Sequence, residues 1–190
     1  MTFIHDRVVA GERLFGTWCN LGSSITVEMA GRAGFDWVLV DHEHGVGDQE
    51  SLVAQVQAAD AAGAATIVRI AWNDPVRFKR ALDLGISGVM VPYVQSADEA
   101  RAAVRSMRYP PEGVRGVASL TRSTGFGADF DAYFERANRE LLTIVQIETP
   151  RGVEQADAIA AVDGVDVLFI GPLDLSTAMG IQGEYTDSRF

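Results

Sequence analysis

Six short apolar runs recur along the chain, each separated from the next by a longer stretch whose apolar positions follow a helical period. The runs cover residues 15–20, 37–42, 65–70, 88–94, 142–147 and 165–170. They are rich in β-branched and aromatic residues and nearly continuous in hydrophobicity, as parallel strands covered on both faces must be. The stretches between them carry helix punctuation. A helix over 24–33 follows Ser23-Ser24, and one over 49–62 follows Asp48. Pro75 stands in a first turn after Asn73-Asp74, a 96–107 helix opens Ser96-Ala-Asp-Glu99, and a 151–161 helix follows Thr149-Pro150. Gly34, Gly63, Gly85 and Gly164 stand where these helices stop.

The motif helix–Ala/Leu-Gly–X–strand repeats at Gly34, Gly63 and Gly85, a habit of (β/α) barrels in which a left-handed turn sends the chain back inward. The connection 108–140 is the exception: a Pro-Pro-Glu-Gly turn, a Gly/Ser/Thr-rich loop (118–128) and a short helix (129–139). Insertions of that length usually belong to the functional face. A closed barrel needs eight strands and about 250 residues, whereas six strands are legible here. An open α/β sheet would leave strands 1 and 6 unpaired. The pattern therefore predicts an α/β fold of the (β/α)8 TIM-barrel type in one domain, 1–190, with about six of eight βα units present and the C-terminal part incomplete. On that reading, a chain ending at Phe190 is expected to be aggregated or inactive unless a partner completes it, because a domain's stability is only ~5–15 kcal/mol.

Composition narrows the setting. With 190 residues, 47% hydrophobic and 22% charged, the chain can bury a sizeable core. No run of about 18 apolar residues predicts a membrane span, and the amphipathic stretch 2–11 does not read as a signal peptide. The single cysteine, Cys19, fits a reducing compartment, so a cytoplasmic location is expected. A net charge of −10 without a Lys/Arg cluster argues against nucleic acid. An acidic protein that takes an anionic substrate must reverse its field locally, with a metal ion or a placed arginine.

Chemistry gathers at the C-terminal strand ends, where barrels keep their active sites. Strand 2 delivers Asp41-His42-Glu43-His44, two of the three histidines in the chain. Asp41 and His44 can form a carboxylate–imidazole pair in which the acid raises the basicity of the ring; a polar loop capping the next helix is the plainer alternative. Glu148 and Asp174 end consecutive strands and, with Gln146, make a hard-oxygen set suited to Mg²⁺ or Mn²⁺; each acid alone would serve as a helix cap or surface ion pair. Zinc fits less well, since His42 and His44 point to opposite faces. Arg69 emerges from a buried strand end, either as a cation beside a developing oxyanion or as an ion-pair partner of Asp41 or Glu148. The turn at Gly171-Pro-Leu-Asp174 offers free N–H groups to a carboxylate. Phosphate loops are absent, and Lys79, the only lysine, sits mid-helix, which disfavours a Schiff base.

These residues carry a resemblance. Gly16-Thr-Trp18, Val-Asp41-His-Glu-His44, Val-Arg69, Tyr109-Pro-Pro-Glu-Gly-Val-Arg-Gly116, Val-Gln146-Ile-Glu148-Thr and Gly171-Pro-Leu-Asp174-Leu-Ser stand in the order found in the HpcH/HpaI family of metal-dependent (class II) pyruvate aldolases, which the chain resembles from Gly16 to its end. The resemblance implies reversible aldol cleavage of a 4-hydroxy-2-oxo acid to pyruvate and an aldehyde through a metal-stabilised enolate. It implies a divalent metal (Mg²⁺ or Mn²⁺, with Co²⁺ as a substitute) on Glu148 and Asp174, Arg69 at the enolate, His44 as base and Asp41 as its partner. Gln146 would line the pyruvate pocket, the amides of Leu173 and Asp174 would hold the carboxylate, and Trp18 would form a wall. His42, where the family carries a different residue, would be structural. The implied partners are a small-molecule 2-oxo acid and an aldehyde, with a homo-oligomer, a hexamer in the family, as the assembly. The competing class, citrate-lyase β-like acyl-CoA lyases, shares the barrel and the acid pair but lacks the Glu43-His44 dipeptide.

Overall fold

The computed structural model describes all 190 residues. Strands β1 (Gly16–Cys19), β2 (Trp37–Asp41), β3 (Ala65–Arg69), β4 (Gly88–Val91), β5 (Leu142–Ile147) and β6 (Val167–Ile170) form one parallel sheet in the order β1-β2-β3-β4-β5-β6. Helices fill every connection: α2 (Ser24–Arg32), α3 (Gln49–Ala62), α4 (Pro75–Leu82), α5 (Ala97–Met107), α6 (Phe130–Glu140), α7 (Pro150–Glu154) and α8 (Ala156–Ala160). A short α1 (His5–Val9) precedes the sheet and α9 (Pro172–Ala178) follows it. No helix is long and apolar enough to cross a membrane.

The sheet is curled. Five strand spacings laid flat would put β1 and β6 about 24 Å apart, yet the rings of Trp18 on β1 and Phe169 on β6 lie 5.4 Å apart across the concave side. All six expected strands are present, consecutive and parallel. β1 and β6 stand at the edges without a seventh or eighth strand between them, so the fold is an open, curled part of a barrel rather than a closed one.

Strand parity sorts the core. Leu39, Ile67, Met90, Leu142 and Ile144 pack inside the curl with Ile4 of the N-terminal segment, and Trp18, Trp37, Val167 and Phe169 extend the cluster. The alternate positions (Val38, Val40, Val68, Ile70, Val89, Val91, Val145, Ile147) join the larger cluster beneath the helices. A continuous apolar run is thereby used on both faces.

Local signals account for the helix ends. Asp48 accepts from the N–H of Ser51 and closes a capping box on α3; Asp74 accepts from Val76 N–H, and Thr149 Oγ1 from Gly152 N–H. Gly34, Gly63, Gly85 and Gly164 all have positive φ, as the turn after a helix demands. The expected 151–161 helix is divided at Gln155 into α7 and α8. Ser23 precedes α2 without a side-chain cap bond. In the 108–140 connection, Arg115 lies buried over the Tyr109 ring at 4.3 Å and reaches Tyr133 and Asp83. This insertion is therefore anchored by a packed cation, and its 3₁₀ segment Arg122–Gly127 is tied back by Arg122 to Asp60 and to the carbonyl of Leu84.

Candidate active site at the strand ends

Inward parity runs to the last residues of β2, β3 and β5, and one residue past β5, and this lifts polar groups onto the rim of the curl. Asp41 follows Leu39, Arg69 follows Ile67, and Gln146 and Glu148 follow Ile144. Asp41 and Arg69 are direct partners in the β2–β3 ladder. Their side chains meet at two points, Nε to Oδ1 at 2.9 Å and Nη2 to Oδ2 at 2.6 Å. The remaining Arg69 nitrogen, Nη1, lies 3.1 Å from Glu43 Oε2 and 3.5 Å from Gln146 Oε1. Trp18 packs 5.5 Å from the guanidinium.

The expected Asp41–His44 side-chain pair does not form. Asp41 spends its carboxylate on Arg69, on Asn20 Nδ2 and on the backbone N–H groups of Glu43 and His44. The His44 ring stands 68% exposed, and its nearest carboxylate oxygen is Glu43 Oε1 at 3.9 Å. The reason is positional: a bidentate guanidinium one strand away satisfies the acid better than an imidazole held on a turn. His42, as expected, points the other way, among the helices.

Glu148 sits just past β5 and is buried. Its Oε1 accepts the N–H of Tyr93 at 2.7 Å and its Oε2 accepts from Gln146 Nε2 at 3.3 Å. Tyr93 holds a left-handed backbone, φ +58°, to present that N–H. Gly171 packs so tightly that a Cβ there would lie 2.5 Å from Glu148 Oε2. Leu173 and Asp174 fall in the first turn of α9, both exposed, where backbone N–H groups lack intrahelical partners.

Electrostatics mark the rim as short of positive charge. Burial pushes the Glu148 carboxyl above its ordinary value, Asp174 and Glu43 push it further, and the Tyr93 N–H and Arg69 only partly oppose them. Burial likewise raises Glu43. In Asp41 burial is outweighed by Arg69 and by the two backbone N–H groups, so its carboxyl is held below the ordinary range. Four acids (Asp41, Glu43, Glu148, Asp174) thus share one guanidinium. No three His, Cys, Asp or Glu side chains converge to ligate one ion. The residues fit a hard divalent cation held by two carboxylates, Glu148 and Asp174, with water or substrate oxygens completing its shell, as Mg²⁺ commonly is.

Sequence reasoning singled out most of these groups. It gave no role to Asn20, Tyr93 or Glu43. Asn20 is visible as a polar residue closing β1, whereas nothing local announces a left-handed Tyr93.

Comparison with known proteins agrees with this arrangement. The model of the HpcH/HpaI aldolase/citrate lyase family matches residues 14–189. The chain is 46% identical over 178 residues to a pyruvate aldolase of Rhizobium etli, covering 94% of this chain and 70% of that protein. It is 46% identical over 168 residues to a 5-keto-4-deoxy-D-glucarate aldolase of Salmonella arizonae, covering 88% of this chain and 65% of that protein. The crystal structure of a family protein from Burkholderia cenocepacia superposes with a TM-score of 0.94 at 38% identity, covering 98% of this chain and 75% of the other. The chain spans about two-thirds of the length of the curated relatives it matches. With the motifs, the curled parallel sheet and the acidic rim in agreement, the chain belongs to the HpcH/HpaI aldolase/citrate lyase family.

Proposed function

We propose that the rim carries out reversible aldol cleavage of a 4-hydroxy-2-oxo acid to pyruvate and an aldehyde. One observation carries the reading: a buried guanidinium held at two points by Asp41 shares the rim with a buried carboxyl whose charge is only partly offset. Arg69, immobilised by Asp41, presents a positive charge that does not reorient when an enolate oxygen develops nearby. Gln146 and Trp18 bound the space next to it. Leu173 and Asp174 offer backbone N–H groups to the substrate carboxylate. His44, solvent-facing, takes the proton of the C4 hydroxyl in the cleavage direction. Glu148 and Asp174 hold a divalent cation, Mg²⁺ or Mn²⁺, which when bound supplies Lewis-acid polarisation of the 2-oxo acid. The relatives named above as aldolases support this class of chemistry.

The test is proton exchange of pyruvate in deuterated water. Exchange that EDTA abolishes, that Mg²⁺, Mn²⁺ or Co²⁺ restores, and that needs no CoA ester supports the aldolase. Dependence on acetyl-CoA would assign the site to acyl-CoA lyase chemistry instead. Borohydride with pyruvate should leave Lys79 unmodified, and an adduct there would overturn the metal-dependent class.

A further inference from the structure

A partly polar cavity lies on the opposite face of the same strands. It holds about 230 Å³ between β2, β3, α3 and α4, in the middle of the sheet rather than at an open edge. Its floor is apolar, built from Leu52, Val68 and Ile70. His42 enters from β2, one residue beyond the rim acid Asp41 but with opposite parity. The ring makes no hydrogen bond, and its Nε2 is buried without a partner. Arg77 and Arg80, three residues apart on α4, line the mouth.

Arg77 and Arg80, like Arg13, Arg105, Arg139 and Arg151, have no side-chain partner, but only these two share one cavity with an unpartnered histidine. Arg69, Arg108, Arg115 and Arg122 each reach a carboxylate within 3.3 Å, whereas the guanidinium groups of Arg77 and Arg80 have neither an ion pair nor a hydrogen bond. In a chain of net charge −10, two unpaired cations over one pocket are conspicuous. The acids that open α3 and α4 do not neutralise them: Asp48 accepts from Ser51 N–H and Asp74 from Val76 N–H. Gln49 closes one side by donating Nε2 to the carbonyl of Arg80, which leaves its own Oε1 free. A buried imidazole nitrogen without a partner costs free energy unless something fills the space beside it. Water can hydrate the ring and both exposed guanidinium groups; a bound anion would in addition meet their positive charge.

We propose that this cavity is a binding site for a small organic anion. Its carboxylate or phosphate head lies between Arg77 and Arg80, an acceptor atom meets the His42 ring, and its apolar body covers Leu52, Val68 and Ile70. The site is independent of the aldol reading, because none of its residues belongs to the rim.

Phenyl phosphate and benzoate, titrated into the whole chain at low ionic strength, test it, with inorganic phosphate as the head group alone and phenol as the body alone. Binding is read by calorimetry and by the ring ¹⁵N and ¹H resonances of His42. At least one of the two aromatic anions should bind saturably, more tightly than inorganic phosphate or phenol, and should shift the His42 ring; the tighter one names the head group. The exposed double substitution Arg77→Gln/Arg80→Gln should weaken binding at least tenfold with an unchanged melting temperature. His42→Phe, which replaces the imidazole by an apolar ring of similar size, should abolish the tighter binding while leaving the arginines in place. Binding that ignores both variants, binding that leaves the His42 resonances unmoved, or no saturable binding of either anion would overturn the proposal.

Discussion

Asp41 and Arg69 face each other across the β2–β3 ladder and are joined at two points, 2.9 and 2.6 Å, with both ends buried. Parallel register alone brings them together: paired positions in neighbouring strands share a face, and both residues follow an inward-facing apolar side chain. Each holds the other charged. Burial lowers the Arg69 value, but Asp41 and Glu43 more than restore it, so the cation persists in a water-poor rim.

Breaking that pair therefore has two separable consequences. Arg69→Ala leaves a buried, unpaired Asp41 and should cost about 3–5 kcal/mol. It should also abolish pyruvate exchange while retaining most metal affinity, since Glu148 and Asp174 remain. Replacing both residues by apolar ones, Asp41→Leu with Arg69→Met, should recover most of the stability and none of the activity. Urea unfolding beside the exchange assay checks both halves, and an active Arg69→Ala would remove Arg69 from the chemistry.

Glu148 should show the reverse sign. Its folded value is raised above the ordinary 4.5, so the fold disfavours the charged form. A raised carboxyl contributes stability that is present below the unfolded value and lost as pH rises through the folded one. Glu148→Gln should thus raise the melting temperature at pH 7 by about 2–4 °C, the shift expected for roughly 1 kcal/mol in a domain of this size. The advantage should vanish below about pH 4, where the wild-type group is protonated in both states. Asp41 works against this at the acid end: its lowered value gives stability above the unfolded value that is lost as pH falls. The same variant should lose metal-dependent exchange. Equal melting temperatures for the two proteins at pH 7 would show that the buried charge is already compensated.

Strand identity and order were legible in the sequence because parallel strands buried on both faces read as continuous apolar runs, and α3 and α4 because Asp48 and Asp74 are local caps. The positions of Asp41, Arg69, Gln146 and Glu148 followed from the same alternation. What local pattern does not encode is which partner a side chain chooses. Asp41 and His44 are three residues apart, yet Asp41 is claimed by Arg69, 28 residues away, because strand pairing outranks sequence proximity. The left-handed Tyr93 was hidden for a related reason: its N–H is committed to Glu148, 55 residues away.

Tyr93 gives a backbone test of how Glu148 is held. A residue with a side chain at φ +58° is strained by about 1–2 kcal/mol, and glycine is not. Tyr93→Gly keeps the N–H bonded to Glu148 Oε1 and should be neutral or stabilising by up to about 1 kcal/mol. Tyr93→Val, β-branched in the same conformation, should be destabilising by at least that much. Chemical denaturation of the three proteins orders them, and a valine variant as stable as the glycine one would show that the loop can relax without its left-handed turn.

His44 and Gly45 are adjacent and should fail in opposite ways. The His44 ring is mostly exposed and makes no hydrogen bond, so His44→Ala should change stability by no more than about 0.5 kcal/mol. If the ring takes the C4-hydroxyl proton, cleavage should fall by about 10²–10⁴. Gly45 instead lies against the backbone carbonyl of Asp41, where a Cβ would collide. Gly45→Ala must displace the end of β2, and with it the Asp41–Arg69 pair, so stability and activity should drop together. Melting curves beside cleavage rates separate the two cases. A His44→Ala protein that cleaves at the wild-type rate would leave the base to be sought elsewhere on the rim, with Glu43, its carboxyl already raised by burial, the first group to substitute.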